Sequence, residues 1–215
     1  MMGNFKSYLL VVLIALTGCS SAYYSAMEKV GIHKRDILID RVEEATESQE
    51  EAKEEFASAL EQFSSLISYD GGELETHYQQ SKAHYEASEQ AAQEVTKRID
   101  AIESVAEALF SEWQEEIEQY SNQSLKRQSQ TKLRQTKSKY TNVLIAMHSA
   151  EKKMSPVLTA LKDNMLYLKH NLNAQAVGAL KGEYTSIKRN IDALIKEMNN
   201  SIGDSQAFID SLKAQ

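Results

Sequence analysis

Four stretches of the chain repeat apolar residues in alternating steps of four and three, and no other feature limits the fold as strongly. The first runs Leu38, Val42, Ala45, Gln49, Ala52, Phe56, Ala59, Phe63, Leu66, with Gln49 its one polar member. The second runs Leu74, Tyr78, Ser81, Tyr85, Ser88, Ala92, Val95, Ile99, Ile102, Ala106, Leu109, Trp113 and continues to Ile117 and Tyr120. The third is Leu133, Thr136, Tyr140, Val143, Met147, Ala150, Met154, Val157, Leu161. The fourth is Val177, Leu180, Tyr184, Ile187, Ile191, Leu194, Met198, fading through Ile202, Phe208 and Leu212. A mean step of about 3.5 residues keeps such a seam on one side of a helix, and only another helix laid along it can bury the whole seam. The expected fold is therefore all-α, an elongated antiparallel helical bundle with coiled-coil heptad character. At about 1.5 Å per residue, the helix predicted over 73–120 alone would measure about 70 Å.

The breaks between seams are short. Tyr69-Asp70-Gly71-Gly72 supplies two glycines for a tight reversal, Ser121-Asn122-Gln123-Ser124 offers side-chain oxygens as caps, and His170-Asn171-Leu172-Asn173-Ala174 carries the last turn. Asn171 and Asn173 read as helix-ending residues that tolerate left-handed backbone. The only proline, Pro156, lies inside the third seam, whose phase passes through it unshifted. It predicts a kink, or a stop and restart capped by Ser155. Gly178-x-x-x-Gly182 predicts a close approach between helices.

The N-terminus has the pattern expected of a targeting signal. Lys6 is followed by the apolar run Tyr8–Leu16 and then by Leu16-Thr17-Gly18-Cys19. The run is shorter than the roughly 20 residues a membrane-spanning helix needs, so it reads as a secretory signal. Leu16, Thr17, Gly18 and Cys19 resemble the lipobox of bacterial lipoproteins, in which cleavage leaves a diacylated Cys19 as the first residue. The expected division is a signal peptide over 1–18, a lipidated N-terminus and juxtamembrane segment over 19–35, and a helical bundle over 36–215. Ser20 and Ser21 follow the cysteine, a pattern similar to Gram-negative lipoproteins sorted to the outer membrane, facing the periplasm. More than one acyl chain gives stable anchoring. Cys19 is the only cysteine, so a lipidated chain has no internal disulfide. Tyr23, Tyr24, Met27 and Val30 predict one face of a short helix ended by Gly31, after which His33, Lys34 and Arg35 either meet lipid head groups or form a solvated helix start.

The blocks Tyr23-Tyr24-Ser25-Ala26-Met27-Glu28-Lys29-Val30-Gly31-Ile32-His33-Lys34-Arg35-Asp36 and Leu168-Lys169-His170-Asn171-Leu172-Asn173-Ala174-Gln175-Ala176 resemble the two signatures of a bacterial lipoprotein family catalogued as domain of unknown function 2959. That resemblance implies a helical secreted lipoprotein and carries no activity with it.

The motifs of common chemistry are absent from the sequence. Its eight glycines form neither GxxxxGK[ST] nor GxGxxG nor GxSxG. Val30, Leu74, Ser81, Ile145 and Tyr167 stand three residues before the five histidines, so the Glu-x-x-His pairs of di-metal bundles cannot be written. His77 and His84 share a helix face but have no third ligand at suitable spacing. No catalytic residue, metal site, cofactor or small-molecule substrate is expected. A formal net charge of −7 argues against nucleic acid as a partner.

Charge placement is more informative. Nine acids (Asp40, Glu43, Glu44, Glu47, Glu50, Glu51, Glu54, Glu55, Glu61) crowd the first seam, while Lys126, Arg127, Lys132, Arg134, Lys137 and Lys139 occupy a stretch without acids. Either these surfaces face each other and set helix pairing, or the basic stretch docks an anionic surface such as phospholipid, lipopolysaccharide or wall polymer. The expected function is a non-catalytic, lipid-anchored periplasmic scaffold or interaction protein of the bacterial envelope, with an envelope protein or itself as partner. The alternative is a peripheral membrane- or lipopolysaccharide-binding module using the basic stretch.

Overall fold

The computed structural model describes Tyr24, Met27 and residues 31–68 and 74–214. Residues 1–18, Cys19 and the Gly71-Gly72 turn lie outside the described residues. Four helices follow in order: α1 Lys34–Ile67, α2 Leu74–Gln119, α3 Gln123–His170 and α4 Ala174–Lys213. The fold is all-α, with no strand among the described residues.

Contacts divide the chain into two units, residues up to Arg41 with Ala101–Lys137, and Val42–Asp100 with Ser138–Gln215. The second unit contains parts of all four helices. Gln62 donates to Gln80 at 3.2 Å, Ser88 to the Glu55 carbonyl at 3.4 Å and Arg98 to Glu44 at 2.6 Å, so numbers rise along α1 as they fall along α2. Likewise Tyr140 meets Phe208 with ring centres 6.4 Å apart and Lys153 lies 3.8 Å from Glu197, which makes α3 and α4 antiparallel. Lys213 to Glu43 at 2.7 Å, Lys53 to Asn199 at 3.2 Å and the stacked Phe63 and Tyr184 rings run α4 antiparallel to α1. Thr96 reaching Glu151 at 2.6 Å joins α2 to α3 and closes a four-helix antiparallel bundle.

In the first unit, the Trp113 indole N–H donates to Ser129 at 2.9 Å and Lys126 bonds Glu118 at 2.7 Å, again antiparallel. Tyr24 and Met27 are helical, and Gly31 at φ 86° lets the Ile32 N–H close back on the Met27 carbonyl at 3.1 Å. That is the six-to-one bond of a glycine-terminated helix, as the sequence predicts. It turns the chain so that Tyr24 reaches Ser104 at 3.2 Å while Lys34 reaches Glu112 at 3.0 Å. Lys34 is therefore buried beside a carboxylate and not directed at head groups.

All nine seam positions of α1 are buried, Gln49 included. Three corrections apply elsewhere. On α4 the inward positions after Met198 are Ser201, Ser205, Phe208 and Leu212, which keep the three-four step, while Ile202 is half-buried. Tyr120 lies past the end of α2 and is 41% exposed. Ile37, Leu38 and Ile39 are buried in succession, and Val105 and Phe110 join the α2 core, because these segments of the first unit are covered over a broader arc than one heptad seam.

The α3 helix runs unbroken through Pro156, so Ser155 caps nothing and there is no restart. Pro156 is exposed, where the Lys152 carbonyl that its missing N–H leaves unbonded costs least. Asn122 caps α3, its side-chain oxygen accepting from the Ser124 and Leu125 N–H groups at 2.9 and 3.3 Å. Among the described residues no residue other than glycine has positive φ, which corrects the reading of both asparagines near the last turn. Asn173 has φ −150° and caps α4 through the Ala176 N–H at 3.0 Å, and Asn171 donates to the Tyr167 carbonyl at 2.9 Å.

Gly178 and Gly182 are corrected as well. Both are exposed, and a Cβ at either meets nothing within 4 Å, so among the described residues no helix approaches them closely. With helical backbone and open space, Gly178→Ala and Gly182→Ala should each stabilise the fold by about 0.5–1 kcal/mol, read as a higher urea midpoint.

Candidate functional site

The heptad that builds the core also sorts the charge on the outer faces. On α3, Arg127 and Arg134 stand seven residues apart, as do Lys132 and Lys139, so the four form two rows. All four are exposed. At about 100° per residue, the rows lie about 140° apart on the helix, with Gln128, Thr131, Gln135 and Ser138 as an uncharged lane between them. Arg134 bonds the Thr131 hydroxyl at 3.1 Å, and Arg127, Lys132 and Lys139 make no ion pair among the described residues. The other two members of the basic stretch are engaged. Lys126 pairs with Glu118, and the Lys137 amine stands 5.5 Å from the centre of the Phe110 ring.

The acids of α1 have their own partners. Glu43 pairs with Lys213, Glu44 with Arg98 and Glu50 with Lys53. Of the other six acids between Asp40 and Glu61, none with an ion pair among the described residues, Asp40, Glu47, Glu54 and Glu61 are exposed and stand seven residues from one another, while exposed Glu51 and half-buried Glu55 lie off that row. The four in the row occupy the position opposite the core seam, so the outer ridge of α1 is a row of four negative charges about 10 Å apart. Glu43, Glu44 and Glu50 thus use Lys213, Arg98 and Lys53, none of them in the basic stretch, and Lys126 of that stretch pairs with α2.

A groove of about 710 Å³ lies between α2 and α3 in the second unit. It exists because Ala92, Ser155 and Thr159 are too small to fill the space between the helices. At one end Glu151 accepts from Thr96 at 2.6 Å and bonds His148 at 2.8 Å. Burial pushes the Glu151 carboxyl upward, but these two hydrogen bonds outweigh it and hold the group below its usual range. At the other end the Tyr85 hydroxyl donates to Glu89 at 2.5 Å. Burial, reinforced by that bond and the Glu89 charge, pushes the phenol up to about 12. The native state thus holds this proton more tightly than an unfolded chain, whose phenol titrates near 10. Its contribution to stability is intact below about pH 10 and is lost as the pH rises through about 12. Tyr85→Phe should flatten the fall in stability over that interval, measured by denaturant titration at successive pH values.

The family described as protein of unknown function (DUF2959) matches residues 23–212. The chain belongs to that family. No curated protein and no solved structure matches it.

The DUF2959 match starts just past the proposed lipidation site and spans both units. Among the described residues of this DUF2959 chain there is no group of three or more His, Cys, Asp or Glu placed to hold a metal ion, and no helix long and apolar enough to cross a membrane. Sequence reasoning singled out the six basic residues but not their division into two engaged and four open. It missed the groove, because Ser155 and Thr159 lie outside the heptad seams and a small seam residue such as Ala92 does not by itself announce a space between helices. The row at Asp40, Glu47, Glu54 and Glu61 was legible as a seven-residue repeat of acids.

Proposed function

We propose that this DUF2959 protein is a non-catalytic, lipid-anchored helical scaffold or interaction protein of the bacterial cell envelope. Cys19 of the lipobox Leu16-Thr17-Gly18-Cys19 holds it on the periplasmic face of the outer membrane. The observation that carries the reading is the pair of exposed helix faces, one acidic on α1 and one basic on α3, whose rows make no ion pair among the described residues. Solvated charge rows of this regularity select helical partners in the way that flanking charges do in coiled coils. Labelling cells with radioactive palmitate and fractionating the envelope tests the anchor. Label that depends on Cys19 and enters the outer membrane is expected, and label that is absent or confined to the inner membrane overturns it. A photoreactive residue at Glu54 or Lys132 tests the scaffold role, with an adduct larger than the monomer expected and none from either position overturning it.

A second reading has one observation in its favour. Tyr120 and Leu125, 41% and 48% exposed, sit at the α2–α3 turn directly before Lys126 and Arg127. Apolar tips beside cations suit a peripheral membrane- or lipopolysaccharide-binding module, resting on Arg127, Lys132, Arg134 and Lys139, since Lys126 and Lys137 are held within the chain.

A further inference from the structure

We propose that the basic lane of α3 receives the acidic ridge of α1 from a second copy of this chain. The inference rests on the interaction-protein reading and names its partner. Its ground is that the two faces match in sign, in repeat and in shape.

The acidic ridge repeats every seven residues through Asp40, Glu47, Glu54 and Glu61, and the basic rows repeat every seven through Arg127 and Arg134 and through Lys132 and Lys139. Both repeats are therefore about 10 Å, so two or more charges can meet in a single register without either helix bending. Shape decides between a helix and a flat surface. The Arg row and the Lys row point about 140° apart, so a plane touching one row turns away from the other. A helix laid over the lane is instead reached from both sides. The lane residues Gln128, Thr131, Gln135 and Ser138 are uncharged and exposed, so seating a carboxylate row above them meets no like charge. A carboxylate seated at the level of Lys132 and Arg134, two residues apart on α3, would lie between a lysine and an arginine and accept charge-assisted bonds, which are stronger than neutral ones.

The chain carries both halves of the match. Each copy offers a ridge and a lane, and the closed or open character of the assembly follows from whether two such contacts can form at once. The contact is electrostatic, with little apolar area on either face, so it should be strongly salt-sensitive. This separates it from dimers held by a buried apolar seam.

The test uses the full chain purified in mild detergent, in two charge-reversed forms. One carries Glu47→Lys, Glu54→Lys and Glu61→Lys, and the other Arg127→Glu, Lys132→Glu, Arg134→Glu and Lys139→Glu. Circular dichroism and thermal melting confirm that each form folds, since every changed residue is exposed. Sedimentation velocity of the wild-type chain at low salt is expected to show association beyond the monomer, lost at about 0.5 M salt where charges are screened within a few ångström. Each reversed form alone is expected to remain monomeric, and an equimolar mixture of the two to associate again. A wild-type chain that is monomeric at low salt, or a mixture that does not recover, overturns the proposal. If the basic form loses binding to anionic vesicles while all forms stay monomeric, the lane is a membrane contact and the proposal also fails. A monomeric chain that still crosslinks to another envelope protein sinks the second copy as partner and leaves the interaction-protein reading standing.

Discussion

Replacing Gln49 by Leu should stabilise the protein by about 1–3 kcal/mol, the cost of a buried polar group left without partners. Gln49 is fully buried on α1, and both its side-chain nitrogen and oxygen lack hydrogen-bond partners. The Lys53–Asn199 contact fixes the register of α1 against α4 and puts Gln49, one turn earlier, level with Ser201 and Ser205. Ser205 bonds the Ser201 carbonyl at 2.7 Å, whereas the Ser201 hydroxyl has no partner. A polar layer of this kind crosses an otherwise apolar core. Leu has nearly the volume of Gln and brings no polar atom, so the desolvation penalty disappears without a cavity. In a chain of this size each kcal/mol shifts the melting temperature by about 2–4 °C, a change a thermal scan resolves. A lower melting temperature for Gln49→Leu would show that ordered water satisfies the amide and that the layer is a net stabiliser. Such layers commonly fix helix register, so the Leu variant should also tolerate a shift of α4 along α1, detectable as heterogeneous disulfide formation between cysteines placed at Lys53 and Asn199.

Phe56→Ala should act in the opposite direction and more strongly, lowering stability by about 3–5 kcal/mol. Phe56 is fully buried, and its seam neighbours on α1 one turn away are Ala52 and Ala59. Small residues on both sides leave nothing on α1 that could move into the void, so the site collapses poorly and the cavity cost is near the upper end. Phe56→Leu should lose less than half as much, because the seam stays filled. The two variants compared by urea titration, with unchanged slope, would check this, and a loss under about 1 kcal/mol for Phe56→Ala would mean that α1 is not held by its core seam.

Much of the candidate site was written in the sequence as period. Asp40, Glu47, Glu54 and Glu61 recur at the same seven-residue interval as Leu38, Ala45, Ala52 and Ala59, so one periodicity predicts both the buried seam and the charged ridge opposite it. The engaged state of Lys126 and Lys137 was not legible, since it depends on Glu118 and Phe110 arriving from another helix. Nor was the buried Lys34, which follows from the reversal at Gly31 and the position of Glu112.

The sequence by itself determined that the chain is helical, where each helix runs and which side of it faces inward, because those properties depend on residues three and four apart in one segment. Tertiary structure alone decided which charges are neutralised, that Ser201 and Ser205 rather than Ile202 carry the α4 seam, and that Gly178 and Gly182 face open space. Those outcomes depend on the relative register of helices that are distant in the chain, and the local period of each helix is the same at every register it could adopt.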